Sequence, residues 1–259
     1  MTPQNQSDPK ALFGDRFKGA RAVVIGGRGA VGAAVVDQLI ELGAQVVIGS
    51  HSSGAVESAR QDFEAGKPAT LPIDLRDNDS ITQFAEDVTD FMPSIDILVM
   101  SAGRSVQVPL KKIDQLTDDL IDEIFASAAT GVLKLVRSLT PNLKVGEQPV
   151  IVFVGSVAAK TGGGSNLAYS AAKGALDTMT IGLAKALAPE IRVLTISPSA
   201  LDTPFVAARN QDFIDATVKA TPLGRLADVE EVATSILSAA RVLTASTGIS
   251  IPVDGGRHL

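Results

Sequence analysis

The chain of 259 residues contains no cysteine and no tryptophan, and only 4% of its residues are aromatic. Without cysteine it can form no disulfide, no thiolate metal site and no cysteine nucleophile. The two histidines, His51 and His258, are too few for a zinc site of several imidazoles, so no metal is predicted. A serine–histidine–aspartate triad would also have to use one of them. Tyr169 is the single tyrosine, and therefore the single phenol available for proton transfer.

The sequence also lacks an excess of positive charge. It has 23 basic and 29 acidic residues, a net charge of -6, which argues against a nucleic-acid partner. Residues 1–10 are polar and do not resemble a secretory leader, and residues 1–17 are predicted to form a disordered or loosely packed tail. The most apolar stretch, 22–36, is shorter than a bilayer span and contains Arg28. We therefore expect a cytoplasmic protein without a membrane partner.

Short runs rich in Val, Ile and Leu recur along the chain and predict seven strands. Their continuous apolar character is typical of a parallel sheet covered on both faces. Segments with helical periodicity lie between them, one of them with Thr117 as N-cap and an end near Pro141. The predicted fold is α/β, a single doubly wound (Rossmann) domain over residues 18–259. The predicted strands are 22–25, 45–49, 69–73, 95–100, 150–154, 191–197 and 248–253.

A glycine-rich segment, GGRGAVG at 26–32, follows the first strand and opens a helix that runs to about Leu42. Glycines let a backbone approach a pyrophosphate closely, and a helix N-terminus presents free N–H groups to an anion. The strand, helix and second strand together make a βαβ unit of the length that dinucleotide sites use. The alternative is a tight turn that needs positive φ and binds nothing.

Tyr169 and Lys173 are four residues apart, which places the phenol and the ammonium on one face of a helix. A neighbouring cation favours the phenolate and makes Tyr169 a usable proton donor or acceptor. Ser156 follows the fifth strand, at the sheet edge where doubly wound folds bind ligands. The alternatives are a half-buried ring beside a solvated amine, and a serine that only caps the backbone.

In these motifs the sequence resembles the short-chain dehydrogenase/reductase family, from about Lys18 to Gly256. The matching segments are IGGRGAVG (25–32), DILVMSAG (96–103), VGSVAA (154–159), YSAAK (169–173), ISPSALDTP (196–204), PLGRLADVEEVA (222–233) and VDGG (253–256).

The resemblance implies hydride transfer between a nicotinamide and a carbonyl or alcohol carbon. Ser156 would hold the carbonyl oxygen, Tyr169 would transfer its proton, and Lys173 would bind the nicotinamide ribose and lower the tyrosine pKa. The other implied cofactor-binding residues are Gly26, Arg28, Gly29 and Val31 at the pyrophosphate, Asp74 and Leu75 at the adenine, Ser101, Ala102 and Gly103 at the adenosine ribose, and Leu201 and Thr203 at the carboxamide.

Several positions depart from the family pattern. Ile25 replaces a threonine, Ala30 a glycine and Met100-Ser101 a pair of asparagines, so the hydrogen bonds that brace the first and fourth strands must be made otherwise. Ala128 stands where the family has a catalytic asparagine that supports a water relay to the lysine. Proton exchange with solvent is therefore the step most open to question.

The residues after the second strand indicate NADP(H), although NAD(H) is not excluded. The family uses an aspartate there to bind the adenosine ribose, and its carboxylate repels a 2′-phosphate. Here Ser50 occupies that position, next to His51, and Arg28 lies in the glycine loop. Serine and arginine can bind a phosphate, and a histidine adds attraction when protonated. The alternative is an undiscriminating site in which Arg28 points into solvent.

The leading hypothesis is an NADP-dependent carbonyl reductase or alcohol dehydrogenase with a small-molecule substrate, assembled as a homotetramer as the resemblance implies. A catalytically idle nucleotide-binding scaffold or sensor is the alternative. Non-redox use of the same proton machinery would require loss of the nicotinamide site, against which Lys173 and Thr203 argue. Substrate identity and reaction direction stay open, with candidate pocket walls at 104–110, 158–164 and 205–221.

Overall fold

A computed structural model of the chain describes residues 8–52, 56–103, 105–201 and 211–259. Seven parallel strands form one sheet in the order β3-β2-β1-β4-β5-β6-β7, which confirms the predicted architecture. The observed bounds lie within two residues of the predicted ones. They are β1 (Arg21–Ile25), β2 (Gln45–Ser50), β3 (Ala69–Pro72), β4 (Ile97–Met100), β5 (Val150–Val154), β6 (Arg192–Pro198) and β7 (Ile249–Val253).

Helices cover both faces of the sheet, as the continuous apolar strands predict. The described helices are α1 (Pro9–Phe13), α2 (Ala30–Glu41), α3 (Val56–Glu64), α4 (Asn78–Phe91), α5 (Asp118–Phe125), α6 (Gly131–Lys144), α7 (Ala158–Thr161), α8 (Leu167–Leu187), α9 (Gln211–Lys219) and α10 (Val229–Arg241), with a short 3₁₀ turn at Ile113–Gln115.

Alternate residues of each central strand enter different halves of the core. Val23 and Ile25 of β1 pack in the cluster that contains buried side chains of α4, α6 and α8. Ala22 and Val24 pack in the opposite cluster, with side chains of α2 and α10. Because both faces of the sheet are buried, packing fixes the position of each central strand. It thereby also fixes the edge of the sheet at which these strands end.

The prediction of a loose segment up to residue 17 is wrong for residues 8–17. Asp8 caps α1 by accepting a hydrogen bond from the Lys10 backbone N–H at 2.9 Å. Phe13 and Phe17 are fully buried against each other, edge to face, with ring centroids 5.4 Å apart. Burying two phenylalanines stabilises by several kcal/mol, about 1.5–3 each, which offsets the entropy of ordering a short segment.

The predicted helix end near Pro141 is also wrong, although Thr117 does cap α5 as predicted. Pro141 lies inside α6, which continues to Lys144. Interior proline costs about 3 kcal/mol, but Leu139 and Leu143 on either side of it are fully buried. Their burial in the core keeps the helix intact through the proline.

A π-helical turn, Ala126–Thr130, separates α5 from α6 where the sequence pattern predicts one continuous helix. Gly131, the next residue, lies in close contact with the backbone of Leu75. A Cβ on Gly131 would lie 2.0 Å from the Leu75 backbone oxygen. The turn accommodates this approach of the helix backbone to the segment after β3. It also places Ser127 on the wall of the cavity described below.

Candidate active site

The glycine loop lies at the carboxyl end of β1, where the order of the strands reverses between β1 and β4. Gly26 has φ +78°, and a Cβ on it would lie 2.7 Å from the Ala102 backbone nitrogen. A Cβ on Gly32 would lie 2.2 Å from the Gly26 oxygen, so α2 begins in direct contact with the loop. The first turn of α2, capped by Gly29, therefore presents its N–H groups to the crevice at this edge.

Apolar contact replaces the bracing side chains that the family pattern would supply between β1 and β4. Ile25 and Met100 are register partners in this pair of strands, and both are buried in the same core cluster. The Ser101 backbone N–H donates to the Ile25 oxygen at 2.9 Å. The loop itself is held by main-chain bonds, since the Gly26 N–H donates to the Gly49 oxygen at 2.8 Å and the Gly29 N–H to the Gly26 oxygen at 2.9 Å.

One cavity of about 920 Å³ runs along the carboxyl ends of the strands. This volume lies within the range of small-molecule and cofactor sites. Thr203 of the predicted set is outside the described residues. All the other predicted site residues line the cavity: Gly26, Arg28, Gly29, Val31, Ser50, His51, Asp74, Leu75, Ser101, Ala102, Gly103, Ser156, Tyr169, Lys173 and Leu201.

At one end of the cavity, the Arg76 guanidinium binds the Asp74 carboxylate, with the shortest N–O distance at 2.7 Å. The same guanidinium contacts Glu123 of α5 at 3.1 Å. Hydrogen bonds from Arg76 lower the pKa of Asp74 to about 2. Arg76 was missed by the sequence analysis, although it follows Asp74 and Leu75 directly. Its single positive charge pairs with both of the acidic groups that line this end.

The other basic groups at this end differ in their partners. The His51 ring nitrogen Nε2 lies 3.5 Å from an Asp74 carboxylate oxygen. Arg28 is exposed on the loop and makes no hydrogen bond or ion pair with any described residue. Ser50 ends β2 without a carboxylate at its position. This end therefore offers a free guanidinium and a hydroxyl to an anion.

Tyr169 is fixed by the start of α8. The Asn166 side chain caps the helix, accepting from the Tyr169 backbone N–H at 2.8 Å. Asn166 is fully buried, and its amide donates to the Val106 oxygen at 2.8 Å. Asn166 was not predicted from the sequence, although the spacing Asn-x-x-Tyr is that of an N-cap residue and could have indicated its role. Its capping bond ties the backbone of Tyr169 to a buried anchor.

Lys173 lies one turn further along α8 and is buried. Its Nζ donates to the Val154 oxygen at 2.7 Å and lies 5.7 Å from the centre of the Tyr169 ring. Burial lowers the pKa of Lys173 to about 8, opposed by the Asp177 carboxylate on the next turn. The ammonium therefore lies beside the phenol, as the spacing of the two residues predicts, and it is close to losing its proton in weakly basic solution.

Ser156 lines the same cavity as Tyr169 and Lys173, whereas Ala128 is not among the lining residues. The Ser156 Oγ accepts a hydrogen bond from the Ala158 backbone N–H at 3.2 Å while it also lines the cavity. It therefore makes the backbone-capping bond considered above and still faces the site. Ala128 is buried in an apolar cluster with Ala168 and Ala172 of α8, so this position supplies no polar side chain to a water relay.

The third part of the cavity is lined by α9 and the C-terminal turn. Phe213 and Thr217 of α9 contribute, as the wall predicted at 205–221 implies, together with Arg257, which the sequence analysis did not consider. Other predicted wall residues, Arg104, Phe205, Val206 and Arg209, lie outside the described residues.

A family model described as short chain dehydrogenase matches residues 20–213. The chain belongs to the short-chain dehydrogenase family. It is an oxidoreductase of this family, whose members use nicotinamide cofactors. The Gly loop, the serine strand and the YSAAK helix all lie within the matched residues, so the resemblance stated from the sequence is confirmed.

Known members resemble this short-chain dehydrogenase over nearly its whole length. It is 33% identical to cis-4-hydroxycyclohexanecarboxylate dehydrogenase of Sinomonas cyclohexanicum, over 94% of this chain and 98% of that protein. A glucose/ribitol dehydrogenase of the family from Brucella melitensis superposes with TM-score 0.83, at 28% identity over 94% of this chain and 98% of the other. The RhlG/NADP active-site complex of Pseudomonas aeruginosa also gives TM-score 0.83, at 27% identity over 95% and 99%.

The described ranges of this short-chain dehydrogenase contain neither a candidate membrane span nor a candidate metal cluster. No described helix combines the length and the apolar character that a membrane span requires. No group of three or more histidine, aspartate or glutamate side chains there is arranged to hold a metal ion.

Proposed function

We propose that the chain is an NADP(H)-dependent carbonyl reductase or secondary-alcohol dehydrogenase that uses Ser156, Tyr169 and Lys173. The observation that carries this proposal is the buried Lys173 ammonium, 5.7 Å from the Tyr169 ring centre, on the wall of a cavity that also contains the glycine loop. A phenol beside a buried cation, next to a nucleotide-sized crevice, is suited to moving one proton to or from a substrate oxygen.

The residues present fit a nicotinamide dinucleotide. A Cβ on Gly26 or Gly32 would meet the backbone of Ala102 or of Gly26, so glycine at these positions allows the tight turn into α2. The first N–H groups of α2 are thereby directed toward the crevice, where a pyrophosphate would bind. From β2 to β5 the cavity spans three strand spacings, about 14 Å, a distance suited to an extended dinucleotide. When bound, the nicotinamide supplies or accepts the hydride at the substrate carbon.

The protein side chains then handle the proton. In the reducing direction Ser156 donates a hydrogen bond to the substrate oxygen, and Tyr169 gives that oxygen its proton as negative charge develops there. Lys173, held by the Val154 oxygen, stabilises the resulting phenolate. In the oxidising direction the same phenolate removes the alcohol proton. Lys173 would also hold the nicotinamide ribose of a bound cofactor, as the family resemblance implies.

The charges near β2 support NADP(H) over NAD(H). Ser50 has no carboxylate to repel a 2′-phosphate, and Arg28 has no partner among the described residues. The nearby Asp74 is already neutralised by Arg76. A structural relative was solved with NADP, in agreement with this preference.

A catalytically idle nucleotide-binding protein is the second candidate, and Ala128 is the observation that favours it. Its methyl group is buried against α8, so position 128 supplies no side-chain amide that could order water. Such a protein would bind the cofactor without turning over any carbonyl compound. The proposed enzyme instead needs Lys173 to exchange its proton by another route.

The test measures oxidation of NADPH and NADH with a panel of ketones that includes 4-oxocyclohexanecarboxylate and its methyl ester, chosen because a relative acts on a hydroxycyclohexanecarboxylate. We expect higher kcat/KM with NADPH than with NADH. Arg28→Ala should lower kcat/KM for NADPH by roughly tenfold or more, as expected for loss of a charge-assisted hydrogen bond, and change that for NADH little.

Arg137→Ala is the matched control, since Arg137 is exposed on α6 and does not line the cavity. Equal or better efficiency with NADH in the wild-type protein would contradict the NADP(H) assignment. Tight cofactor binding with no turnover of any ketone would favour the idle protein.

A further inference from the structure

The turn after β7 is fixed by one buried carboxylate. Asp254 accepts a hydrogen bond from the Gly256 N–H at 2.9 Å and another from the His258 N–H at 2.8 Å. The Arg257 N–H donates to the Asp254 backbone oxygen at 3.1 Å. The His258 ring adds a contact to the same carboxylate at 2.8 Å. Three successive N–H groups bonded to one residue hold the backbone on both sides of Arg257.

The opposite side of this turn packs on the segment after α9. A Cβ on Gly255, which has φ +64°, would lie 2.7 Å from the Thr221 methyl carbon, and one on Gly256, with φ +86°, would lie 3.0 Å from the Pro222 ring. The Leu223 N–H donates to the Gly255 oxygen at 3.1 Å. The turn is therefore packed against the segment that directly follows α9.

The Arg257 side chain extends from this turn and has no hydrogen-bond or ion-pair partner in the described part of the chain. It is exposed and lines the cavity with Phe213 and Thr217. The acids described in the cavity lining, Asp74 and Glu123, are both bound by Arg76. Asp254, the acid nearest in sequence, is occupied by His258 and backbone N–H groups.

A guanidinium that is free on a fixed backbone can bind a carboxylate through two parallel hydrogen bonds and loses little backbone entropy in doing so. We propose that Arg257 is the anion-binding residue of the substrate pocket and that the substrate carries a carboxylate on the side away from its reacting carbon. This inference rests on the proposed function of the same cavity. Phe213 gives the pocket an apolar surface for the carbon skeleton between the two groups.

The test compares 4-oxocyclohexanecarboxylate with its uncharged methyl ester in wild type, Arg257→Gln and Arg257→Lys. We expect wild type to favour the acid, and Arg257→Gln to raise KM for the acid by roughly tenfold to a hundredfold while KM for the ester changes little. Arg257→Lys should recover part of the loss, since it keeps the charge but not the fork. Arg137→Gln, an exposed arginine outside the cavity, is the control.

The cofactor diphosphate is the other anion that Arg257 could meet. Calorimetric titration of NADP into wild type and Arg257→Gln separates the two, because an unchanged Kd supports the substrate role. A weaker cofactor Kd with no change of acid-over-ester preference would overturn the proposal, as would equal losses on acid and ester.

Failure of the proposed function gives a different result. If wild type turns over neither compound, titration of both into the protein with NADP still decides the role of Arg257. Acid binding that is lost in Arg257→Gln supports it, whereas absent or unchanged acid binding overturns it.

Discussion

Lys173 is a residue that the fold accommodates at a cost. Its ammonium is buried with a pKa of about 8, against 10.5 for an ordinary lysine, because burial disfavours the charge. Below about pH 8 the group is charged in both the folded and unfolded states, so the full burial cost, on the order of 3 kcal/mol, is present. As the pH rises from 8 to 10.5, Lys173 is neutral in the folded state but still protonated in the unfolded state, so the burial cost of its charge falls.

Lys173→Met should therefore stabilise the protein at pH 7 while removing its activity. We expect a gain of about 1–2 kcal/mol in the free energy of unfolding, since losing the bond to Val154 offsets part of the burial cost. The gain should shrink as pH rises toward 10. Denaturant unfolding at several pH values measures it, with the exposed Lys185→Met as control. A loss of stability at pH 7 would mean that the ammonium is better solvated than its burial indicates.

Some residues of the site can be predicted from the sequence and others cannot. Tyr169 and Lys173 were predictable because a spacing of four defines one helix face. Asn166 was not predicted although its N-cap spacing is local, whereas Arg76 and Arg257 have roles that depend on tertiary neighbours: Arg76 on Glu123, and Arg257 on the α9 wall. No local pattern reports contacts between residues so far apart in sequence.

Among the elements, strands were predictable and the irregular helix was not. The inner strands β4 and β5 are apolar runs buried on both faces, which leaves one arrangement, whereas the edge strand β7 is only partly buried. The π-helical turn Ala126–Thr130 depends on the close approach of Gly131 to the segment after β3. The continuation of α6 through Pro141 depends on packing in the core. In both places packing outweighs local propensity. The same applies to α1, which two buried phenylalanines hold in place.

The close contact at Gly131 predicts that an alanine there is destabilising. A Cβ there would lie 2.0 Å from the Leu75 oxygen, so Gly131→Ala must shift one backbone against the other. We expect it to destabilise the protein by about 1–3 kcal/mol, as overpacking does, and to weaken cofactor binding through Leu75. Thermal unfolding and cofactor titration measure both effects.

Gly182→Ala provides the contrast, because Gly182 lies in α8 with nothing within 4 Å of its added Cβ. Helix propensity predicts that this change stabilises by about 0.5–1 kcal/mol. If both alanine variants were equally stable, the contact at Leu75 would not be the constraint proposed here.

At the scale of the whole molecule, one edge of the sheet gathers the site, because β1 to β6 all end there. The opposite side of α8 faces outward. Leu167 and Ile181, nearly four helical turns apart, are both exposed on it, at 46% and 49%, with Gly174 midway between them. This apolar, small-residue face suits contact with a second copy of the chain.

We therefore expect a homo-oligomer, a tetramer as the family resemblance implies. Light scattering at micromolar concentration should report a mass above that of one chain. Ile181→Glu should lower the measured mass, because it would bury an unpaired charge in the contact between subunits. Leu12→Glu, at an exposed position on α1, should leave the mass unchanged. A monomeric wild-type protein would rule out this assembly.

Tyr169 is the residue proposed to move the proton in a nicotinamide-dependent redox reaction, and comparing the turnover of Tyr169→Phe with that of wild type tests this role. The variant removes only the hydroxyl, so α8, its Asn166 cap and the cofactor Kd should be unchanged. We predict a loss of about 10²–10⁴-fold or more in kcat for ketone reduction with NADPH, the contribution of a positioned acid. Turnover within a few-fold of wild type, with cofactor binding intact, would contradict the account.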